Sequence, residues 1–276
     1  MKYEFGLRGH DIGNTLEEMC ENAKKYGVKN LQFAMARTCS DINFDEIGFD
    51  EKVANEIKAK LDEYGLHVSV LGCYIDPINP NDEVRETQLT RFKNFISYAK
   101  VFGADMIATE TGFLATQEET RSEETYQFLL NNLRPLAKEA EDKGVMMAIE
   151  MVWIHPMYCP QRMRRLLDDL NSPNVGVIVD MSNLTYPETK DNQSDTINDS
   201  FDLLGDNIKG IHLKDFVFDE EGKKSFALAG SGDLMTELFF DRINGLSKLP
   251  EIILDETKVT DYAQTLEILE DVLTAE

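Results

Sequence analysis

A disulfide scaffold and a zinc knuckle are the first structures this sequence excludes. Its four cysteines are spread over 276 residues with no CxxC pair, whereas those frameworks need close, paired spacing. Cys20, Cys39, Cys73 and Cys159 therefore read as free thiols of a reducing compartment. Positive charge is also scarce: 28 Lys and Arg stand against 51 Asp and Glu, a formal net charge of −23. Such a field repels phosphate backbones and anionic membranes. Nucleic acid is thus an unfavourable partner, and the basic run RMRR at 162–165 reads as a solvated helix face. No apolar run approaches the ~20 residues of a membrane span, and the N-terminal MKYEFGLRGHD lacks the apolar centre of a signal peptide. These absences predict a cytoplasmic protein without a membrane partner. No G-x-G-x-x-G follows the first apolar run, which weakens the case for a doubly wound open sheet.

What is present is a rhythm. An apolar content of 42% is enough for a full core. A polar-apolar helical run repeatedly ends in glycine and passes into an apolar run: ENAKKYG-VKNLQFAM at Gly27, IKAKLDEYG-LHVSVLG at Gly65, ISYAKVFG-ADMIATE at Gly103, LAKEAEDKG-VMMAIEMV at Gly144. Glycine after a helix takes the left-handed cap without a Cβ clash. The second half keeps the rhythm with other punctuation, in LDDLNSPNVGVIVD, LLGDNIKGIHLKD and INGLSKLPEIILDE. Eight short strands are predicted near 3–8, 30–35, 67–73, 105–110, 146–151, 175–180, 208–213 and 251–256, each followed by helix, the last over 261–274. Most are continuous apolar runs, as expected for parallel strands covered on both faces. Eight such units predict an α/β protein, a (β/α)₈ TIM barrel, as one domain over 1–276.

Active sites of such barrels lie at the C-terminal strand ends. The fifth strand, VMMAIE, ends at Glu150; the sixth, VGVIVD, at Asp180; the seventh, IKGIH, at His212; the eighth, EIILDE, at Asp255 and Glu256. Each follows an apolar run, where a charge is costly unless paired or metal-bound. One such residue alone reads as a loop-entry residue or a hydrogen-bonded core histidine. Carboxylates and an imidazole on four successive strands suit one divalent ion, Mn²⁺, Mg²⁺, Co²⁺ or Zn²⁺.

In this order, AIEMVWIHP, NVGVIVDMSNL, IHLKD and IILDET resemble the xylose-isomerase-like barrel family of sugar isomerases and epimerases, together with GCY after the third strand and GSGD at 230–233. The resemblance implies metal ligands at Glu150, Asp180, His212 and Glu256. Glu256 is preferred over Asp255 because the family's ligand there is a glutamate, and Asp255 should then face the helical layer. It further implies a small-molecule sugar or sugar-phosphate substrate gripped by its carbonyl and neighbouring hydroxyl, with proton transfer through an enediolate. Glu150 and Glu256 are the expected proton-transfer groups. Homodimers or homotetramers are the assemblies it implies.

Further substrate-binding candidates are His155, Lys214, Glu110 and Arg8, each with a bland alternative: a loop histidine, a Lys214–Asp215 pair, buried salt bridges. Trp153, the only tryptophan, reads as a core residue or a sugar wall. GSGD could hold phosphate on its amides, although a short glycine loop is a weak signal. Asn183 stands where many relatives carry a substrate-holding histidine, and asparagine cannot shuttle a proton as imidazole does. Three rival readings follow: dehydration of a keto-inositol, which needs the same ligands; a non-catalytic sugar- or partner-binding barrel; and the nuclease branch of the fold, which its four histidines and its acidity oppose.

Overall fold

The computed structural model describes residues 2–274. Eight parallel strands close into a barrel: β1 (Phe5–Arg8), β2 (Asn30–Phe33), β3 (His67–Gly72), β4 (Met106–Thr109), β5 (Met147–Glu150), β6 (Val175–Val179), β7 (Ile208–Leu213) and β10 (Glu251–Leu254), which closes on β1. All eight coincide with the predicted runs. Each barrel strand pairs with its neighbours in parallel register, as in Glu150 opposite Ile178 and Ile253 opposite His212.

The helices of the outer layer include Leu16–Tyr26, Glu51–Glu63, Asp82–Phe102, Glu123–Lys143, Pro160–Leu170, Gln193–Leu204, Thr236–Asn244 and Tyr262–Thr274. Thr15, Asp50, Asn81 and Ser122 each accept a backbone N–H of the first turn that follows, which fixes where four of these helices begin. Gly103 and Gly144 end two of them in the left-handed conformation. Nothing lies within 4 Å of a Cβ built at either, so backbone geometry rather than space selects glycine there. Among the described residues no helix is long and apolar enough to cross a membrane.

Two cores result. The larger lies between strands and helices, with Phe33, Tyr98, Leu129, Leu166 and Ile211 among its fully buried members. The smaller fills the barrel itself: Val70, Met106, Ala108, Ala148, Ile178 and Ile253. The barrel is plugged by these side chains, so a ligand can approach only from an end.

One element departs from the predicted strand–helix alternation. After β7 the chain forms an antiparallel ribbon, β8 (Asp215–Phe218) and β9 (Lys224–Ala227), before the helix Thr236–Asn244. The ribbon is short and half-exposed, so it leaves little of the apolar patterning by which strands are found in sequence.

Candidate functional site

Side chains alternate across a strand, so the plug residues identify which later residues point into the barrel mouth. From Ala148 on β5 the next is Glu150; from Ile178 on β6 it is Asp180; from Ala108 on β4 it is Glu110; from Ile253 on β10 it is Asp255. On β7 the same face carries Gly210, His212 and, just past the strand, Lys214. Glu150, Asp180 and His212 are all buried, and one ligand atom from each lies within 4.8 Å of the others.

Hydrogen bonds fix this group. Asn183 donates its side-chain amide to Glu150 Oε1 at 2.7 Å, and its backbone N–H to Asp180 Oδ1 at 2.9 Å. His212 Nδ1 lies 3.1 Å from Glu150 Oε2. Lys214 donates to Asp255 Oδ2 at 2.6 Å. Its Nζ is also 2.9 Å from Asp180 Oδ2, without the alignment of a hydrogen bond. Arg8 binds Asp255 from the other side and Asp11 at 2.5 Å.

Titration follows from burial set against these charges. Burial disfavours the His212 imidazolium, but the Glu150 carboxylate overrides it and raises the ring to about 9. Burial likewise opposes the charge on Lys214, and Asp180 and Asp255 hold it protonated. Asp255 lies at about 2: burial would raise it, and Lys214, His212 and Arg8 outweigh burial. Glu110 has no such partner. Burial and the nearby Glu150 charge push it up to about 7. His155 Nε2 is 3.7 Å from Glu110 Oε2, and burial lowers this ring to about 4, leaving it neutral near pH 7.

The donor set fits a divalent ion. It combines two carboxylates and an imidazole; His212 Nε2 has no hydrogen-bond partner, and Asp180 Oδ2 has only the Lys214 ammonium beside it. Orphaned polar atoms in a buried site are costly unless something binds them.

The structure brings Glu150, Asp180, His212, Asn183 and Lys214 together, with Glu110 and His155 beside them. It does not bring Glu256. That side chain is 39% exposed at the rim, 3.1 Å from Arg8 Nη1. Asp255, expected to face the helices, points inward instead. The preference for Glu256 rested on the family's glutamate, whereas strand alternation decides the matter here: Ile253 is a plug residue, so its inward successor is Asp255. Glu256 then takes a left-handed φ of 52°, where the strand ends and the chain turns.

Two weaker readings are also resolved. Lys214 pairs with Asp180 and Asp255, not with Asp215. The amides of the GSGD loop are already bound: Gly230 and Gly232 both donate to Asp215 Oδ2, and Leu234 donates to Oδ1. Trp153 lies on the loop after β5, half-buried, with the Arg121 guanidinium 4.1 Å from its ring. Sequence reasoning missed the Gln32–Tyr74 pair, in which the amide donates to the phenol oxygen at 2.5 Å. A buried glutamine inside the apolar run NLQFAM was the available signal.

A family model described as xylose isomerase-like TIM barrel matches residues 20–271. No curated protein sequence matches the chain significantly. Among solved structures, a D-tagatose 3-epimerase-like protein is 15% identical with a TM-score of 0.77, covering 98% of this chain and 97% of its own. A 3-keto-D-glucoside 4-epimerase from E. coli is 18% identical with a TM-score of 0.72, covering 98% and 99%. A xylose isomerase-like TIM barrel protein from Mycobacterium smegmatis, in complex with magnesium, is 15% identical with a TM-score of 0.71, covering 99% and 98%. At these identities the likeness establishes the fold.

Proposed function

This chain belongs to the xylose isomerase-like TIM barrel family, and from that premise we propose that it is a divalent-metal-dependent isomerase or epimerase. Its substrate in this reading is a sugar, and its chemistry is proton transfer beside a carbonyl. The observation that carries the proposal is the buried Glu150–Asp180–His212 cluster with its unpartnered His212 Nε2. Two fold relatives named as epimerases or epimerase-like, and one in complex with magnesium, support it.

Glu150, Asp180 and His212 hold the ion in this reading. The bound cation supplies Lewis-acid polarisation of the substrate carbonyl and its neighbouring hydroxyl. The chain's own groups divide the proton work. Burial would raise Glu150, but the positive charge around it, Lys214 included, favours its ionised form, so it is the group that takes a proton. Glu110, held up to about 7, is the group that can return one. Two carboxyls with divergent environments on adjacent strands form an acid–base division. Glu110 therefore replaces the rim residue Glu256 as the second proton-transfer group. Asn183 orients Glu150 and Asp180 together, and Lys214 holds Asp180 against Asp255.

The retained proton on Glu110 also suits protonation of a leaving hydroxyl, so elimination of water from a keto-polyol is the second reading. One experiment tests both. Metal content is measured on wild type and on an Asp180→Asn/His212→Gln variant, and ketoses and inososes are then incubated with Mn²⁺ in D₂O. Deuterium appearing beside the carbonyl without change of formula supports proton transfer, and loss of water supports the second reading. A wild-type chain that takes up no divalent ion, or an exchange rate unaltered in the variant, overturns the proposal.

A further inference from the structure

The barrel mouth has an exposed aromatic residue on each side. Phe113, on the loop after β4, is 60% exposed and Phe226, on β9, is 53% exposed. In the closed strand order β4 and β7 are separated by β5 and β6. The cluster Glu150–Asp180–His212, on β5 to β7, thus lies between the loop that carries Phe113 and the ribbon that carries Phe226.

Each ring is anchored to the site. Phe113 lies nearly parallel to His155, with an interplanar angle of 9° and centroids 6.1 Å apart. Phe226 has Lys214 Nζ 5.3 Å from its centroid. The ribbon's geometry shows which way Phe226 faces. Lys224 and Phe226 share one side of β9, and Lys224 reaches the barrel, donating to the carbonyls of Ser182 and of Thr185, the latter at 2.9 Å. Phe216, opposite Phe226 across the ribbon, is fully buried on that side. Phe226 therefore lies on the barrel side of the ribbon, where it is half-exposed.

The nearby cations are already engaged. Lys214 lies between Asp180 and Asp255. Arg8 is shared by Asp11, Asp255 and Glu256. Lys224 is held by two carbonyls. Arg121 sits between Trp153 and Tyr158, 4.1 and 4.0 Å from their rings, and donates to the Trp153 carbonyl.

We propose that Phe113 and Phe226 are specificity-determining walls for an uncharged ring carried by the substrate beyond its reacting carbons, as in an unphosphorylated glycoside. Aromatic faces favour stacking on such a ring, and the two cations beside the cluster, Lys214 and Arg8, are already paired with carboxylates. The inference rests on the sugar-directed reading above and narrows it from sugars or sugar phosphates to neutral ring-bearing ones.

The test is binding, so it is independent of turnover. Phenyl β-D-glucopyranoside, its methyl analogue, glucose and glucose 6-phosphate are titrated into wild type, Phe113→Ser, Phe226→Ser and Phe226→Tyr by calorimetry, with circular dichroism to verify folding. Wild type should bind the phenyl glycoside about fivefold or more tighter than the methyl one, and glucose 6-phosphate no tighter than glucose. Each serine variant should lose most of the phenyl preference with methyl affinity unchanged, and Phe226→Tyr should retain it. Equal affinity for the two glycosides, no binding of the phenyl one, a preference that survives in both folded serine variants, or tighter phosphate binding overturns the inference. The deuterium-exchange experiment can fail while this preference stands, and the preference can fail while exchange succeeds, so the two proposals are separable.

Discussion

Lys214 Nζ lies 2.6 Å from Asp255 Oδ2 in the buried mouth of the barrel, and the two side chains are each only 6% exposed. Burial penalises both charges, and breaking a buried pair by removing one partner costs several kcal/mol, whereas removing both can be nearly neutral. Lys214→Met is therefore expected to destabilise the fold by about 3 kcal/mol or more. The Lys214→Met/Asp255→Leu double variant should recover part of that loss. Urea unfolding of the four members of the cycle gives the coupling energy, and additivity would show that the pair is not a unit.

Divalent binding should appear as thermal stabilisation. An ion at 100 times its Kd adds about 2.7 kcal/mol to the folded state. Adding excess Mn²⁺ should raise the melting temperature of wild type and of Glu256→Ala alike, since the 39%-exposed Glu256 stands outside the buried cluster. Asp180→Asn/His212→Gln should show no such rise. A Glu256→Ala protein that had lost the response would return that residue to the ligand set.

His155 and Glu110 predict opposite pH dependences. His155 is depressed to about 4 from an ordinary value of 6.5, so between those values the unfolded chain binds the extra proton. Its contribution is whole above pH 6.5 and is lost as pH falls toward 4, up to about 3 kcal/mol. Glu110 is raised to about 7 from 4.5, so here the folded chain binds the proton, and stability falls as pH rises through that window. In metal-free protein, His155→Gln should flatten the acid side of the stability profile and Glu110→Gln the neutral side. Profiles unchanged by either substitution would show that these groups titrate normally.

Asp215 organises the loop that leads back to the outer layer. Its carboxylate accepts backbone N–H groups of Phe216, Gly230, Gly232 and Leu234 at 2.8 to 3.1 Å. Asp215→Ala would leave buried donors unpaired, each at about 1–3 kcal/mol, and should expose 228–234 to limited proteolysis. Gly232→Ala should act similarly, because a Cβ there would lie 2.5 Å from the Asp215 carboxylate. Resistance of both variants to cleavage would contradict this role.

The rim turn at Glu256 offers a smaller test. Its left-handed φ of 52° costs a residue with a side chain about 1 kcal/mol relative to glycine. Glu256→Gly should therefore leave stability unchanged or raise it slightly, although the contact to Arg8 is lost. A clear destabilisation in urea would mean that the Arg8 contact outweighs the turn.

Much of this protein was determined by sequence alone, because the signals involved are local. Glycine after a helix, apolar runs of strand length and their alternation with helices are properties of neighbouring residues, and they specified all eight barrel strands. They also placed Glu150, Asp180 and His212 at the strand ends where the structure gathers them. Tertiary structure decided what depends on phase and on distant partners. Whether Asp255 or Glu256 turns inward follows from Ile253 being a plug residue, which only closure of the barrel establishes. That Lys214 faces Asp180 and Asp255 rather than Asp215, and that Asp215 occupies the glycine-loop amides, depends on residues up to 41 positions apart meeting in space. The short β8–β9 ribbon, with Phe226 over the mouth, is held by Lys224 on carbonyls about 40 residues earlier in the chain, a contact that no periodicity in the sequence announces.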